Sequence, residues 1–106
     1  MKLLFVCNAN MSRSPTGEEI FKEEHETKSA GLLSKGNPVT EELLEWADKV
    51  FVVEEWQVQE LKNRFPGVNH KKIINLDIPN DYFYMQPELQ DSIRRKAKPY
   101  LNTTQQ

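Results

Sequence analysis

The sequence predicts an α/β fold, a single domain in which a four-stranded parallel sheet carries helices on both faces. Short apolar runs alternate along the chain with segments whose apolar residues recur at helical spacing, which is typical of βαβ units. Two of these runs, Leu3–Val6 and Val50–Val53, are apolar throughout, as in strands buried on both faces. The length of 106 residues, 38% of them hydrophobic and 28% charged, suits one small domain spanning residues 1–106.

The first half of the chain contains two predicted strands and the helix between them. After the strand Leu3–Val6 we expect a loop and then a helix from Pro15 to about Glu26. Ser14 has the character of an N-cap, and proline is favoured at the first helical position. The inner face of this helix consists of Gly17, Ile20 and Phe21. A second, weaker strand follows over Thr27–Leu32 and ends in a glycine turn.

The second half contains the remaining elements. In order, they are a helix capped by Thr40, the strand Val50–Val53, a helix opened by Glu54 and Glu55 and ended by Pro66, the strand Lys72–Leu76 and a last helix that begins at Pro87. A long aromatic loop, Asp77–Met85, separates the last strand from the last helix. This makes four strands and four helices, and we expect residues 102–106 to fray.

The segment between the first strand and the first helix carries the clearest chemical signal. Cys7, the one cysteine of the chain, directly follows the strand, and Arg13 lies where the helix is about to begin. The loop between them consists of Asn8, Ala9, Asn10, Met11 and Ser12. Asparagine tolerates positive φ, so such a loop can turn its N–H groups inward. A strand, a loop of this size and a helix N-terminus together predict a site for a phosphate or sulfate anion.

The same surroundings bear on the cysteine itself. A helix N-terminus and a neighbouring arginine both favour the thiolate form of a cysteine. A thiolate at Cys7 would therefore be a nucleophile facing a bound oxyanion. The alternative is that Cys7 is only a small buried hydrophobe and Arg13 a solvated helix residue. The strand before the loop and the helix signal after it favour the nucleophile.

A second loop is predicted to face this site. In parallel sheets, ligands bind beyond the carboxyl ends of the strands, so the Cys7 loop and the Asp77–Met85 loop should meet there. The guanidinium of Arg13 would neutralise phosphate oxygens as a planar fork. Either Asp77 or Asp81 would supply a proton to a leaving oxygen and then activate water. Three aromatic residues either wall the pocket or pack over the core: Tyr82, Phe83 and Tyr84.

Composition excludes several other classes of function. Fourteen basic and sixteen acidic residues give a net charge of −2, with no footprint for nucleic acid or an anionic membrane. One cysteine and two histidines, His25 and His70, form no metal-ligand pattern, and we expect no metal and no cofactor. The N-terminal apolar run is too short for a signal peptide, and no stretch has membrane-spanning length. We expect a cytoplasmic protein that is a monomer or weak dimer.

On these motifs the chain resembles the low-molecular-weight protein tyrosine phosphatases, from Lys2 to about Leu101. The matching pieces are Phe5-Val-Cys7, Asn10, Arg13-Ser-Pro15, Ser29-Ala-Gly31, the strand segment Asp48–Glu54 and Ile78-Pro-Asn-Asp-Tyr82. The resemblance implies the phosphotyrosine phosphatase I-like fold. It also implies a cysteinyl-phosphate intermediate, catalysis without a metal, and phosphotyrosine-type substrates, either a phosphorylated protein or a small aryl phosphate.

The resemblance also implies roles for individual residues. It makes Cys7 the nucleophile, Arg13 the phosphate clamp, Asn10 a loop-shaping residue and Ser14 the partner of the thiolate. An aspartate in the late loop would be the general acid. The residues that would bind substrate are Asn8, Ala9, Asn10, Met11, Ser12, Arg13, Ser14 and Tyr82.

This chain departs from the family pattern at four places. Ala9 replaces the usual glycine, which removes easy access to positive φ at that position. Ser12 replaces a second loop cysteine, so a protective disulfide cannot form. The segment after Gly31 is short and lacks the aromatic loop that usually walls the pocket. The usual Asp-Pro-Tyr frame reads Asn80-Asp81-Tyr82, so the carboxylate is one residue late.

We predict Asp81 as the general acid, with Asp77 as the second candidate. The main alternative is a catalytically weak or inactive pseudophosphatase, in which the loop binds phosphate or phosphotyrosine but Asn80 prevents turnover. A second alternative is arsenate reduction on the same scaffold. Because the thioredoxin-coupled form of that reaction needs further cysteines, a chain with Cys7 alone argues against it.

Overall fold

The computed structural model describes residues 1–101, and the predicted fraying of residues 102–106 lies outside the described residues. The strands are β1 (Lys2–Cys7), β2 (Glu26–Gly31), β3 (Lys49–Val52) and β4 (Ile73–Asn75). The helices are α1 (Arg13–Phe21), α2 (Glu41–Trp46), α3 (Glu55–Arg64) and α4 (Pro87–Leu101), with a 3₁₀ turn over His70–Lys72. The strands form one parallel sheet in the order β2-β1-β3-β4, which confirms the predicted fold class.

The register of the sheet brings the carboxyl ends of the strands to one edge. In the pairing of β1 with β2, Cys7 lies opposite Gly31, and in that of β1 with β3, Phe5 lies opposite Phe51. Because β1 occupies a central position, the loop that follows Cys7 emerges between the ends of its two neighbours. The nucleophile predicted from the sequence therefore lies where α/β sheets place their ligands.

Alternate residues of β1 enter two separate cores. On one side of the sheet, Phe5 stacks on Phe21 of α1 and Phe51 of β3, at ring-centroid distances of 5.8 and 5.3 Å. On the other side, Leu4 packs in a cluster that includes Leu44 of α2 and Leu61 of α3. Burial on both faces explains why the strand sequence lacks a polar alternation.

The boundaries of α1 differ from the prediction at both ends. The helix begins at Arg13, with Ser12 in the cap position and no capping bond from its side chain, so the prediction of Ser14 as N-cap was wrong. The helix ends at Phe21 instead of near Glu26, because the Phe21 carbonyl accepts hydrogen bonds that turn the chain. Glu26 instead starts β2, and its N–H donates to the Met1 carbonyl.

Other elements keep close to their predicted bounds. The side chain of Thr40 caps α2 by accepting the Leu43 N–H, as predicted. Glu54 caps α3 in a capping box with Gln57. The last strand is one residue shorter than predicted at each end: a 3₁₀ turn capped by Asn69 includes Lys72, and the strand ends at Asn75, before Leu76. Among residues 1–101, no helix combines the length and the apolar character needed to cross a bilayer.

Gly17 provides a test of the packing between α1 and the sheet. A Cβ atom at this position would lie 2.4 Å from a ring carbon of Phe5, which is held between two other rings. We expect Gly17→Ala to lower the free energy of unfolding by roughly 1–3 kcal/mol, measured by urea denaturation. Gly36→Ala is the matched control, since a Cβ there meets no atom within 4 Å. Equal stability of both variants would contradict this packing.

Candidate active site

A cavity of about 350 Å³ lies at the carboxyl edge of the sheet, where the two predicted loops meet. Its lining consists of Cys7, Asn8, Ala9, Met11, Ser12, Arg13, Asn80, Tyr82, Phe83 and Tyr84. One wall is therefore the Cys7–Arg13 loop and the other is the late aromatic loop. The Cys7 thiol is free, and the residue is only 3% exposed. The thiol thus lies at the inner end of the cavity.

The backbone of the Cys7 loop has unused hydrogen-bond donors. Among the described residues, the backbone amides from Asn8 to Ser14 find no acceptor. Asn10 adopts a φ of 58°, whereas Ala9 is not among the residues with positive φ. The left-handed position of the loop is therefore Asn10, and the alanine in place of glycine causes no backbone strain. Unpaired amides at a helix N-terminus suit a tetrahedral anion.

Gly31 allows the loop to pass close to the end of β2. A Cβ at Gly31 would lie 2.8 Å from the carbonyl oxygen of Asn8 and 2.9 Å from the amide nitrogen of Asn10. Its φ is not positive, so the requirement here is space and not conformation. The glycine of the Ser-Ala-Gly segment therefore matters to the loop and not only to the turn that follows β2.

Two predicted site residues, Asn10 and Ser14, do not line the cavity. Their side chains lie on the side of the loop that faces away from it. The Oγ of Ser14 lies 3.0 Å from the Sγ of Cys7. The Nδ2 of Asn10 donates to that Ser14 Oγ at 2.9 Å and to the Oγ of Ser29 at 3.0 Å. Ser14 thus serves the thiol instead of the helix end. A hydroxyl beside a thiolate stabilises it by a charge-assisted hydrogen bond.

Arg13 is the most constrained side chain of the site. It is 2% exposed, and its Nη1 donates to the carbonyl oxygen of Ile78 and to the carboxylate of Glu54, each at 2.7 Å. Its Nε is buried and has no hydrogen-bond partner among the described residues. With Nη1 held, the remaining edge of the guanidinium carries Nε and Nη2, which together form a two-pronged donor for an oxyanion.

Glu54 is the counter-ion of this buried cation. Burial alone would raise the pKa of Glu54, but hydrogen bonds from Arg13 and Trp56 and the charge of Arg13 outweigh it and hold the pKa below its ordinary value of 4.5. The neighbouring Gln57 is fully buried, and its Nε2 donates to the Oδ1 of Asn8 at 2.6 Å. The start of α3 therefore holds the Cys7 loop at both of its ends.

The late loop is attached to α1 at two points. The Ile78 carbonyl accepts from Arg13, and the N–H of Met85 donates to the Oγ1 of Thr16 at 2.9 Å. Asp77 and Met85, near the two attachments, both have positive φ, at 56° and 62°. Residues 79–84 between them are exposed or half-buried. The loop is thus held at its ends while its middle forms the cavity wall.

The two carboxylates of the late loop do not line the cavity, whereas the amide between them does. Asn80 lines the cavity, whereas Asp81 and Asp77 are exposed and lie outside the lining. The backbone carbonyl of Asp77 accepts from Lys96 at 2.6 Å. The assignment of Asp81 as general acid therefore stays a prediction, and an amide occupies the wall next to it. Among residues 1–101, no group of three or more potential ligands could hold a metal ion.

Four residues of the site were missed by the sequence reasoning: Glu54, Gln57, Thr16 and Asn37. The Nδ2 of Asn37 donates to the Oδ1 of Asn10 at 3.0 Å. The sequence identified Glu54 only as the opener of a helix. The Glu54-x-x-Gln57 spacing at the end of a buried strand was an available signal, since a polar helix cap at the carboxyl edge of a sheet faces its ligand site. No comparable signal pointed to Thr16 or Asn37, because their partners are distant in sequence.

Comparisons with known proteins give the fold a name. No protein-family model matches the sequence, and no curated protein sequence matches it. Among solved structures, the arginine phosphatase YwlE of Geobacillus stearothermophilus matches with a TM-score of 0.75 and 22% identity, over 99% of this chain and 98% of that one. A low-molecular-weight protein tyrosine phosphatase of Bacillus subtilis matches with a TM-score of 0.73 and 22% identity, over 93% and 98%.

A third structure is the tyrosine phosphatase Wzb of Escherichia coli K30 in complex with phosphate, with a TM-score of 0.76 and 17% identity over 93% and 94%. This chain has the fold of the low-molecular-weight protein tyrosine phosphatases. The fold implied by the sequence motifs is thus confirmed. Because the matches cover nearly the whole of each chain, the short segment after Gly31 does not alter the phosphatase fold.

Glu54 allows a test of the ion pair with Arg13. We expect Glu54→Gln to lower the free energy of unfolding at pH 7 by about 1.5–3 kcal/mol, because a charged hydrogen bond to a buried guanidinium is weakened. Since the folded pKa of Glu54 is depressed, its stabilisation is present above the ordinary value of 4.5 and is lost as the pH falls through the folded value.

The difference in the free energy of unfolding between wild type and Glu54→Gln should therefore become smaller below about pH 4.5. Urea denaturation at several pH values measures it. Glu55→Gln, at an exposed position in the same turn, is the control. If this difference in free energy stays constant down to pH 3, the charge of Glu54 does not stabilise the fold.

Proposed function

We propose that this protein hydrolyses phosphate monoesters through a cysteinyl-phosphate intermediate in the Cys7–Arg13 loop. The observation that carries the proposal is the meeting of three features in one cavity: a buried free thiol, a run of unpaired backbone amides and a buried guanidinium whose Nε has no partner among residues 1–101. The fold shared with named tyrosine and arginine phosphatases, one of them complexed with phosphate, supports it.

The reaction proceeds in two steps at one phosphorus atom. The Cys7 thiolate attacks phosphorus, the S–P bond forms as the P–O bond to the leaving group breaks, and the leaving oxygen takes a proton from Asp81. Water then attacks phosphorus and gives its proton to the Asp81 carboxylate, the S–P bond breaks, and phosphate departs. Arg13 and the loop amides bind the non-bridging oxygens in both steps. The hydroxyl of Ser14 stabilises the thiolate as it leaves.

The walls of the cavity favour an aromatic phosphate ester. Met11 is 75% exposed and Phe83 is 83% exposed, and both line the cavity together with Tyr82 and Tyr84. Exposed apolar side chains around an anion site suit a substrate that carries a ring next to its phosphate. We therefore assign protein phosphotyrosine or a small aryl phosphate as the substrate class.

A second candidate function rests on Asn80. This residue stands in the cavity wall where an acid would be needed, and an amide cannot donate a proton to a departing oxygen. In this reading the protein binds phosphate or phosphotyrosine without turning it over. Binding of vanadate to wild type with no measurable hydrolysis of any aryl phosphate would favour the second candidate.

The phosphatase itself is tested with p-nitrophenyl phosphate in the presence of EDTA. Wild type should hydrolyse it, and Cys7→Ser should lose essentially all activity, since a serine hydroxyl at this place is a far weaker nucleophile. Arg13→Lys should also lose at least about 100-fold in kcat/KM, because an ammonium cannot reproduce the two-pronged contact. Activity that survives in Cys7→Ser would refute the cysteinyl-phosphate route.

The general acid is tested by varying the leaving group. Loss of an acid slows the release of a poor leaving group such as phenol more than that of p-nitrophenol. Asp81→Asn should therefore reduce kcat on phenyl phosphate by about 10²–10⁴ and on p-nitrophenyl phosphate by less. Asp77→Asn is the matched control and should leave both rates near wild type. If Asp77→Asn gives the larger loss, the proton comes from Asp77; if Asn80→Asp alone raises kcat, the wall position lacks its acid.

A further inference from the structure

The hydrogen bonds behind the Cys7 loop have a direction that can be traced from a carbonyl group. The carbonyl oxygen of Ser29 accepts from the Nδ2 of Asn37 at 2.6 Å. Because a carbonyl can only accept, this contact fixes the orientation of the Asn37 amide. The same Nδ2 also donates to the Oδ1 of Asn10 at 3.0 Å. Asn10 must therefore turn its own Nδ2 the other way, toward Ser14 and Ser29.

A carboxylate fixes the direction from a second side. The Oε1 of Glu18 lies 2.6 Å from the Oγ of Ser29. An ionised carboxylate only accepts, so the Ser29 hydroxyl donates to Glu18 and accepts from Asn10. Glu18 and Asn37 lie on different elements, α1 and the loop after β2, and both force the same orientation on Asn10.

The consequence reaches the nucleophile through Ser14. Asn10 donates to the Ser14 Oγ, so the Ser14 hydroxyl proton must go to another acceptor. It has two choices, the Sγ of Cys7 at 3.0 Å and the carbonyl oxygen of Ala30 at 3.4 Å. The nearer acceptor is the sulfur, and a thiolate there makes the bond charge-assisted. From both of its ends, Glu18 and Asn37, the network therefore directs the Ser14 hydroxyl to donate to a Cys7 thiolate.

We propose that Glu18 and Asn37 are positioning residues that set the direction of this network and so raise the reactivity of Cys7. Neither residue lines the cavity. Without them the Asn10 amide is free to turn over, and the Ser14 proton would then point to Asn10 instead of to sulfur. The inference concerns the thiol itself and does not depend on turnover of a phosphate ester.

The sign of the effect separates this proposal from a simple charge effect. Removal of the negative charge of Glu18 should favour a nearby thiolate by Coulomb's law and speed its reactions. Loss of a donor to the sulfur should slow them. Glu18→Ala combined with Asn37→Ala therefore gives opposite results under the two accounts.

The test is the rate at which iodoacetamide alkylates Cys7 at pH 6. Iodoacetamide is neutral, so its approach does not depend on the charge of the protein. The variant that combines Glu18→Ala with Asn37→Ala should react about ten- to 100-fold more slowly than wild type, the effect of one hydrogen bond to a charged group. Glu19→Ala is the control, since Glu19 pairs only with Lys22 among the described residues. Its rate should stay at the wild-type value.

Two further measurements distinguish positioning from damage to the fold. Urea denaturation checks that the variants are folded at pH 6. If the combined variant is not, each single variant carries the test and should react more slowly by a smaller factor, because one of the two orienting contacts remains. In a Ser14→Ala background, the two changes should add no further slowing, because their effect passes through Ser14. A rate equal to or faster than wild type, or full additivity with Ser14→Ala, would overturn the proposal. Alkylation reports the thiol even if p-nitrophenyl phosphate is not hydrolysed, so failure of the proposed function would be seen separately.

Discussion

Burying the guanidinium of Arg13 is the constraint on which the rest of the site depends. A buried charge is costly unless it is paired and hydrogen-bonded, and here the Glu54 carboxylate and the Ile78 carbonyl both meet Nη1. Three segments are therefore brought to one point: the start of α1, the start of α3 and the beginning of the late loop. The Nε of Arg13 is left without a hydrogen-bond partner among residues 1–101, as a donor to a bound anion would be.

Cys7 and its loop are held by a separate set of polar contacts. Ser14 and Asn10 approach Cys7 from the side of β2, while Gln57 holds Asn8 from the side of α3. The Cys7 loop thus has its backbone shape fixed from both sides and keeps its amides for an anion. Such preorganisation matters in phosphoryl transfer, where the protein contributes chiefly positioning and charge.

How far the sequence could predict this molecule depended on whether a feature was local. The strand Leu3–Val6, the loop from Cys7 to Arg13 and the inward Gly17 follow from short-range pattern, and the parallel topology then brings the late loop to the same edge. The prediction of Ser14 as N-cap was wrong because the helix already begins at Arg13, and the Ser14 hydroxyl lies beside the Cys7 thiol instead. The predicted end of α1 was wrong because Glu26 belongs to β2, where its N–H donates to the Met1 carbonyl. This tertiary pairing overrides helix propensity.

The proposed reaction requires that the phosphoryl group be bound for a time to the sulfur of Cys7. Its most direct measurement is acid quenching of wild type during turnover of an aryl phosphate, followed by peptide mass spectrometry and phosphorus nuclear magnetic resonance. We expect one phosphoryl group, bound to Cys7 through a phosphorus–sulfur bond, in an amount that rises to a steady level as the phenol is released. Turnover with no phosphoryl group on Cys7, or with the group on a hydroxyl or carboxylate of the chain, would contradict it.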